Sequence, residues 1–137
     1  MSTRATGTHD MKTWDEKTWD GKPANEVNGA KLTRASVTNS FHGDIEGEGT
    51  LEYLMTYRDD GTASYVGLEH VVGRVGGRSG SFVLQHSGTF EGDTAKTTCF
   101  VIPGSATGDL RGLRGEGGFV AHHGESSTSY TLDYDFE

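Results

Sequence analysis

Three residues of this 137-residue sequence have side chains suited to moving protons and a spacing that brings them together: Glu69, His86 and Tyr53. Their meeting follows from turn chemistry. Val75-Gly76-Gly77-Arg78 reads as a hairpin with a two-residue loop, because Gly-Gly tolerates the positive φ that such turns require. Val75 then faces Arg78. Counting back along both strands, Val71 faces Phe82, Glu69 faces Leu84, Gly67 faces His86 and Tyr65 faces Gly88. The preceding turn, Arg58-Asp-Asp-Gly-Thr62, reads as a three-residue loop with Gly61 in the left-handed position. It sets Met55 against Tyr65, Tyr53 against Gly67 and Leu51 against Glu69.

The two registers agree on one face. Leu51, Tyr53, Met55, Tyr57, Tyr65, Val71, Phe82, Leu84 and Phe90 share it, while Glu46, Glu48, Thr50, Glu52, Ser79, Ser81, Gln85, Ser87 and Thr89 share the other. The first face is therefore the expected interior. Glu69 and His86 fall on it as diagonal neighbours, with Tyr53 in the same layer and Gly67 leaving room between Tyr53 and His86. A carboxylate, an imidazole and a phenol in an apolar interior can exchange protons near neutral pH. The same three groups can equally form a satisfied buried network with no chemistry. In the functional reading Met55, Tyr65, Phe82 and Leu84 are substrate-binding walls, and Gly67 opens space for the bound molecule.

Other candidates are weaker. Cys99 faces His86 if Gly92-Asp93 is a two-residue turn and points outward if the turn has three residues. A Cys–His pair could supply a nucleophile, although a lone buried Cys is more often a small hydrophobe. His122 and His123 fall on opposite faces, with no third ligand at useful spacing, so no metal site is expected. Gly43-x-x-x-Gly47-x-Gly49 and Gly115-x-Gly117-Gly118 match neither dinucleotide nor phosphate-loop spacing, and no cofactor is expected.

The elements that position these residues are strands. No apolar stripe of helical period occurs, whereas β-branched and aromatic residues alternate with polar ones between Gly, Asp and Asn clusters. Eight strands are predicted: 3–17, 31–41, 45–57, 63–75, 78–90, 94–102, 113–122 and 127–136, with loops over 20–29 and 103–109. A change of parity between Met11 and Trp14 predicts a bulge in the first strand. Consecutive strands joined by short turns make an antiparallel meander. Closure into a barrel removes its edges, and a two-sheet sandwich is the alternative. The whole chain, 1–137, reads as one all-β domain.

Composition narrows the partners. A net charge of −8 disfavours a nucleic-acid backbone as partner. No apolar run is long enough to cross a membrane as a helix. The single Cys and the absence of an apolar core within residues 1–12 predict a cytoplasmic protein. Val66, Leu68 and Val72 point outward as an apolar strip, which predicts a subunit contact and hence a homo-oligomer.

Five segments carry a family resemblance: Lys31-Leu-Thr-Arg-Ala-Ser-Val-Thr38, Ile45-Glu-Gly-Glu-Gly-Thr50, Gly80-Ser-Phe-Val-Leu-Gln-His-Ser-Gly-Thr-Phe90, Pro103-Gly-Ser-x-Thr-Gly108 and Leu110-x-Gly-Leu-x-Gly-Glu-Gly117. They resemble the bacterial family called domain of unknown function 3224, over nearly the whole chain. The resemblance implies an eight-stranded antiparallel up-and-down β-barrel like that of allene oxide cyclase, with a lumen and a habit of forming oligomers. It implies no activity. Barrels of that wider group act on hydrophobic, reactive small molecules without a cofactor, an analogy of fold alone. The expectation is a cofactor-free isomerase or cyclase acting on a hydrophobic small molecule in the lumen. Glu69 and His86 would exchange protons and Tyr53 would donate a hydrogen bond. The alternative is a barrel that carries or sequesters such a molecule.

Overall fold

A computed structural model describes residues 2–137. Eight strands follow one another: β1 (Thr3–Thr18), β2 (Lys31–Gly43), β3 (Ile45–Tyr57), β4 (Ala63–Val75), β5 (Arg78–Glu91), β6 (Thr94–Val101), β7 (Leu113–His122) and β8 (Ser127–Phe136). Each pairs antiparallel with the next, and β1 pairs with β8, so the sheet closes into a barrel without a free edge. The sandwich alternative is excluded by that last pairing. The expected strand bounds are met to within two residues. Each of the two long loops folds a short 3-10 turn, at Ala24–Glu26 and Gly108–Leu110.

The turns set the register as their residue types require. Gly76 and Gly77 both have positive φ, at 57° and 90°, and pair Val75 with Arg78. From there Gly67 faces His86, and on the other side of β4 Tyr53 faces Gly67. Gly92-Asp93 closes a two-residue turn, which places Cys99 opposite His86 and inside the barrel. The register between β1 and β2 slips between Met11 and Thr13. Before that bulge the odd residues Ala5 and His9 are buried. After it the even residues Trp14 and Glu16 reach the lumen.

The two ends of the barrel differ. At one end Ile45, Val75, Phe82, Val101, Leu110 and Leu113 pack solidly. The segment after β6 runs along β5, where the Ile102 amide donates to the Val83 carbonyl (2.9 Å) and the Thr107 amide donates to the Ser81 carbonyl (2.8 Å). That path delivers Leu110, wholly buried, as a plug. At the other end Ala35, Val37, Leu51, Tyr53, Met55 and Tyr65 form a wall with space beside it.

Candidate functional site: a buried relay behind an aromatic chamber

The space is a chamber of about 540 Å³, within the range of small-molecule sites. Trp14, Tyr53, Tyr57, Tyr65, Phe90 and Phe119 supply its aromatic surface, and Val37, Leu51, Met55 and Ala95 fill in between. Residues 122–126, at the turn between β7 and β8, rim its mouth.

Behind the chamber wall lies a chain of hydrogen bonds. Tyr53 Oη meets His86 Nδ1 at 3.2 Å. His86 Nε2 meets Glu69 Oε1 at 2.9 Å, and Asn39 Nδ2 donates to Glu69 Oε2 at 2.9 Å. Glu69 and His86 are only 1% and 2% exposed. The three residues predicted to meet do meet, and they sit in a fixed order. Tyr53 lines the chamber, whereas Glu69 and His86 border only a small cavity beyond it. With Glu69 ionised, the imidazole donates from Nε2 and its Nδ1 accepts from the Tyr53 hydroxyl. With the imidazole protonated as well, Nδ1 donates to Tyr53, and the phenol turns its proton toward the chamber. One proton thus decides whether the chamber wall offers an acceptor or a donor. Burial holds the Tyr53 phenol well above its ordinary range, and the neighbouring Tyr65, Glu69 and Cys99 push the same way.

Two glycines make room for this arrangement. A Cβ at Gly49 would fall on the Glu69 carboxylate, and one at Gly67 would fall 2.5 Å from the Glu52 carbonyl and 2.7 Å from the Tyr53 ring. Gly67 therefore seats Tyr53. Expected to bind substrate, it lies outside the chamber lining. Phe82 and Leu84, also expected to bind substrate, lie outside that lining as well. Phe82 is fully buried in the solid end of the barrel, and Leu84 borders only the small cavity. Parity alone put them on the interior face, but their height along the barrel axis puts them below the chamber. Met55 and Tyr65 do line it.

The family described as "Protein of unknown function (DUF3224)" matches residues 5–134. The chain belongs to the DUF3224 family. A crystal structure of a DUF3224 protein of unknown function from Shewanella oneidensis MR-1 is similar over 100% of this chain and 99% of its own, with a TM-score of 0.81 and 33% identity. No curated protein matches the chain.

In this DUF3224 barrel the Gly80–Phe90 segment carries His86 into the relay, and the segment from Pro103 to Leu110 seals the far end. Cys99 borders the small cavity, but its thiol is pushed up to about 12 by burial first and the Glu69 carboxylate second. It remains a thiol at neutral pH and makes a poor nucleophile. Among the described residues no three of His, Cys, Asp and Glu converge as metal ligands would, and no helix is long and apolar enough to cross a membrane.

Sequence reasoning missed Asn39 and His9. Asn39 shares parity with Val37 and Phe41 on β2, a signal that could have placed it inside. His9 shares parity with Ala5 on β1, but the bulge obscured that strand's register.

Proposed function

We propose that this DUF3224 protein binds a largely apolar small molecule in the chamber and moves a proton within it without a cofactor, as an isomerase or cyclase. The observation that carries this reading is Tyr53, a chamber-lining phenol with His86 and Glu69 hydrogen-bonded in series behind it. The likeness of the barrel to allene oxide cyclase, stated from sequence, is in keeping with it but rests on fold analogy.

The step balances within the chain. A substrate C–H next to a carbonyl gives its proton to Tyr53 Oη while the phenolic proton passes to His86 Nδ1. The C–H electron pair becomes the enolate, and the new imidazolium is stabilised by the Glu69 carboxylate. Return of a proton from Tyr53 to a different atom completes an isomerisation, or a cyclisation if the enolate closes a ring first. Glu69 and His86 act through Tyr53 rather than on the substrate. The aromatic walls limit the conformations from which reaction starts.

A ketone with acidic α-hydrogens and an apolar body probes this directly. β-Tetralone in D₂O should exchange its α-hydrogens faster with the protein than without, saturably. Tyr53→Phe and His86→Ala should lower that rate by about a hundredfold or more while the ketone still binds. Equal exchange by wild type and Tyr53→Phe would end the catalytic reading.

A second reading is a non-catalytic carrier. It is favoured by the near-complete burial of Glu69 and His86, which leaves neither in the chamber wall. It predicts binding of the ketone without accelerated exchange. In either reading the exposed strip of Val66, Leu68 and Val72, continued by Leu54 on the paired strand β3, is the contact with a second copy.

A further inference from the structure

His9 is the residue of the lumen that neither the relay nor the wall accounts for. It is 8% exposed, and its Nδ1 is buried with no hydrogen-bond partner among the described residues. A buried polar atom without a partner is uncommon and unfavourable, and it calls for a partner that the protein's own side chains do not supply. His9 also lines both spaces, the aromatic chamber and the small cavity beside Glu69 and His86. Its ring is fixed edge-on to Phe119 at 4.7 Å and tilted against Phe41 at 5.6 Å, so it cannot readily swing away to find a partner. Burial lowers its pKa, with the Glu69 charge opposing and His86 reinforcing. It is held as a neutral ring with one donor and one acceptor.

The rest of the chamber restricts what can meet that ring. Its described lining includes two carboxylates, Glu16 and Glu125, and no lysine or arginine. Glu16 is held by three donors: Trp14 Nε1 at 3.1 Å, Thr33 Oγ1 at 2.7 Å and Tyr57 Oη at 2.6 Å. These two carboxylates place negative charge at the mouth. An anion entering there meets that charge and finds no lysine or arginine to receive it; the basic side chains of the described lining are the imidazoles of His9, His122 and His123.

Resting on the small-molecule reading above, we propose that His9 is the polar anchor of the chamber. It hydrogen-bonds the single hydroxyl or carbonyl of an uncharged, otherwise apolar ligand, and the chamber excludes carboxylates. The anchored oxygen lies at the inner end of the chamber, where Tyr53 and Asn39 also line it.

Three naphthalenes of nearly one shape test this: naphthalene, β-naphthol and β-naphthoate, with Kd measured for wild type and His9→Phe. In wild type β-naphthol should bind about tenfold or more tightly than naphthalene, and β-naphthoate should bind at least tenfold more weakly than β-naphthol. In His9→Phe the advantage of the hydroxyl over naphthalene should vanish, while naphthalene binds as before and so reports an intact chamber. A second measurement needs no variant. In histidine-labelled wild type, the ring-nitrogen NMR signals of His9 should move with β-naphthol and stay put with naphthalene. An undiminished hydroxyl advantage in His9→Phe, an unmoved His9 signal with β-naphthol bound, or β-naphthoate binding as tightly as β-naphthol would overturn the proposal and leave the chamber reading intact. Failure of all three compounds to bind wild type would overturn both.

Discussion

At the scale of single residues, the site depends on where atoms are absent as much as on where they are present. Gly67 leaves the space that the Tyr53 ring occupies, and the nearest obstacle to a side chain there is the Glu52 carbonyl, which is backbone and cannot step aside. Gly67→Ala should therefore destabilise the barrel by about 1–3 kcal/mol, measured by urea unfolding. Retained stability would mean that β3 and β4 can part locally. Cys99 should resist iodoacetamide at about pH 8 in the folded protein and react once unfolded, because its thiol stays protonated in the small cavity. Rapid labelling of the native state would contradict that. His9 gives a pH dependence with a definite sign. Its folded pKa lies below the unfolded value of about 6.5, so its contribution to stability is present above that pH and is lost as pH falls toward the folded pKa. Glu69, His86 and Asp10 act on it electrostatically. Stability measured on acidification should fall less steeply in His9→Phe than in wild type. Parallel curves would remove His9 from the account. Glu69, His86 and Tyr53 were legible because two turns of defined chemistry fix three strands against one another. His9 was not, because the bulge in β1 hides that strand's register, and Asn39 is marked only by its parity with Val37 and Phe41 on β2, with no turn of defined length tying it to Glu69.

At the scale of elements, the bulge in β1 decides what the chamber mouth contains. The slip between Met11 and Thr13 turns Trp14 and Glu16 inward. If Lys12 took a regular place in the pleat instead of bulging, both would point outward, and the hydrogen bonds from Trp14, Thr33 and Tyr57 that converge on Glu16 would be lost. Deletion of Lys12, the residue that the pairing with β2 skips, should leave Trp14 and Glu16 facing inward and naphthalene bound in the chamber. Insertion of one residue after Thr13 should instead reverse their parity and abolish that binding, and retained binding in the insertion variant would show that parity does not decide the mouth. The parity change made this bulge visible in the sequence. Height along the barrel is not visible in the sequence, so parity places Phe82 and Leu84 on the same face as the chamber lining although they lie below it. Alternation says which face a side chain takes, but strand tilt and stagger say which layer it joins, and those follow from closure.

At the scale of the whole molecule, closure supplies both the chamber and its asymmetry. The pairing of β1 with β8 leaves no edge, and the buried Leu110 plugs one end only, so the lumen is solid at one end and open at the other. The outside then carries exposed Val66, Leu68 and Val72, at 50%, 53% and 53%, on a chain of net charge −8. If that strip meets a second copy, sedimentation should show an oligomer for wild type and a folded monomer for Val66→Lys with Leu68→Lys. A monomeric wild type would contradict it. The closed barrel was legible in the regular spacing of turns; the plug was not, since Leu110 lies in a segment with no strand pattern of its own.

The most direct measurement compares α-hydrogen exchange of β-tetralone in D₂O, at equal occupancy, between wild type and Tyr53→Phe. The relay account predicts a rate lower by about a hundredfold or more in the variant. Equal rates in the two proteins would contradict it, and Tyr53, His86 and Glu69 would then be a buried structural network behind a binding chamber.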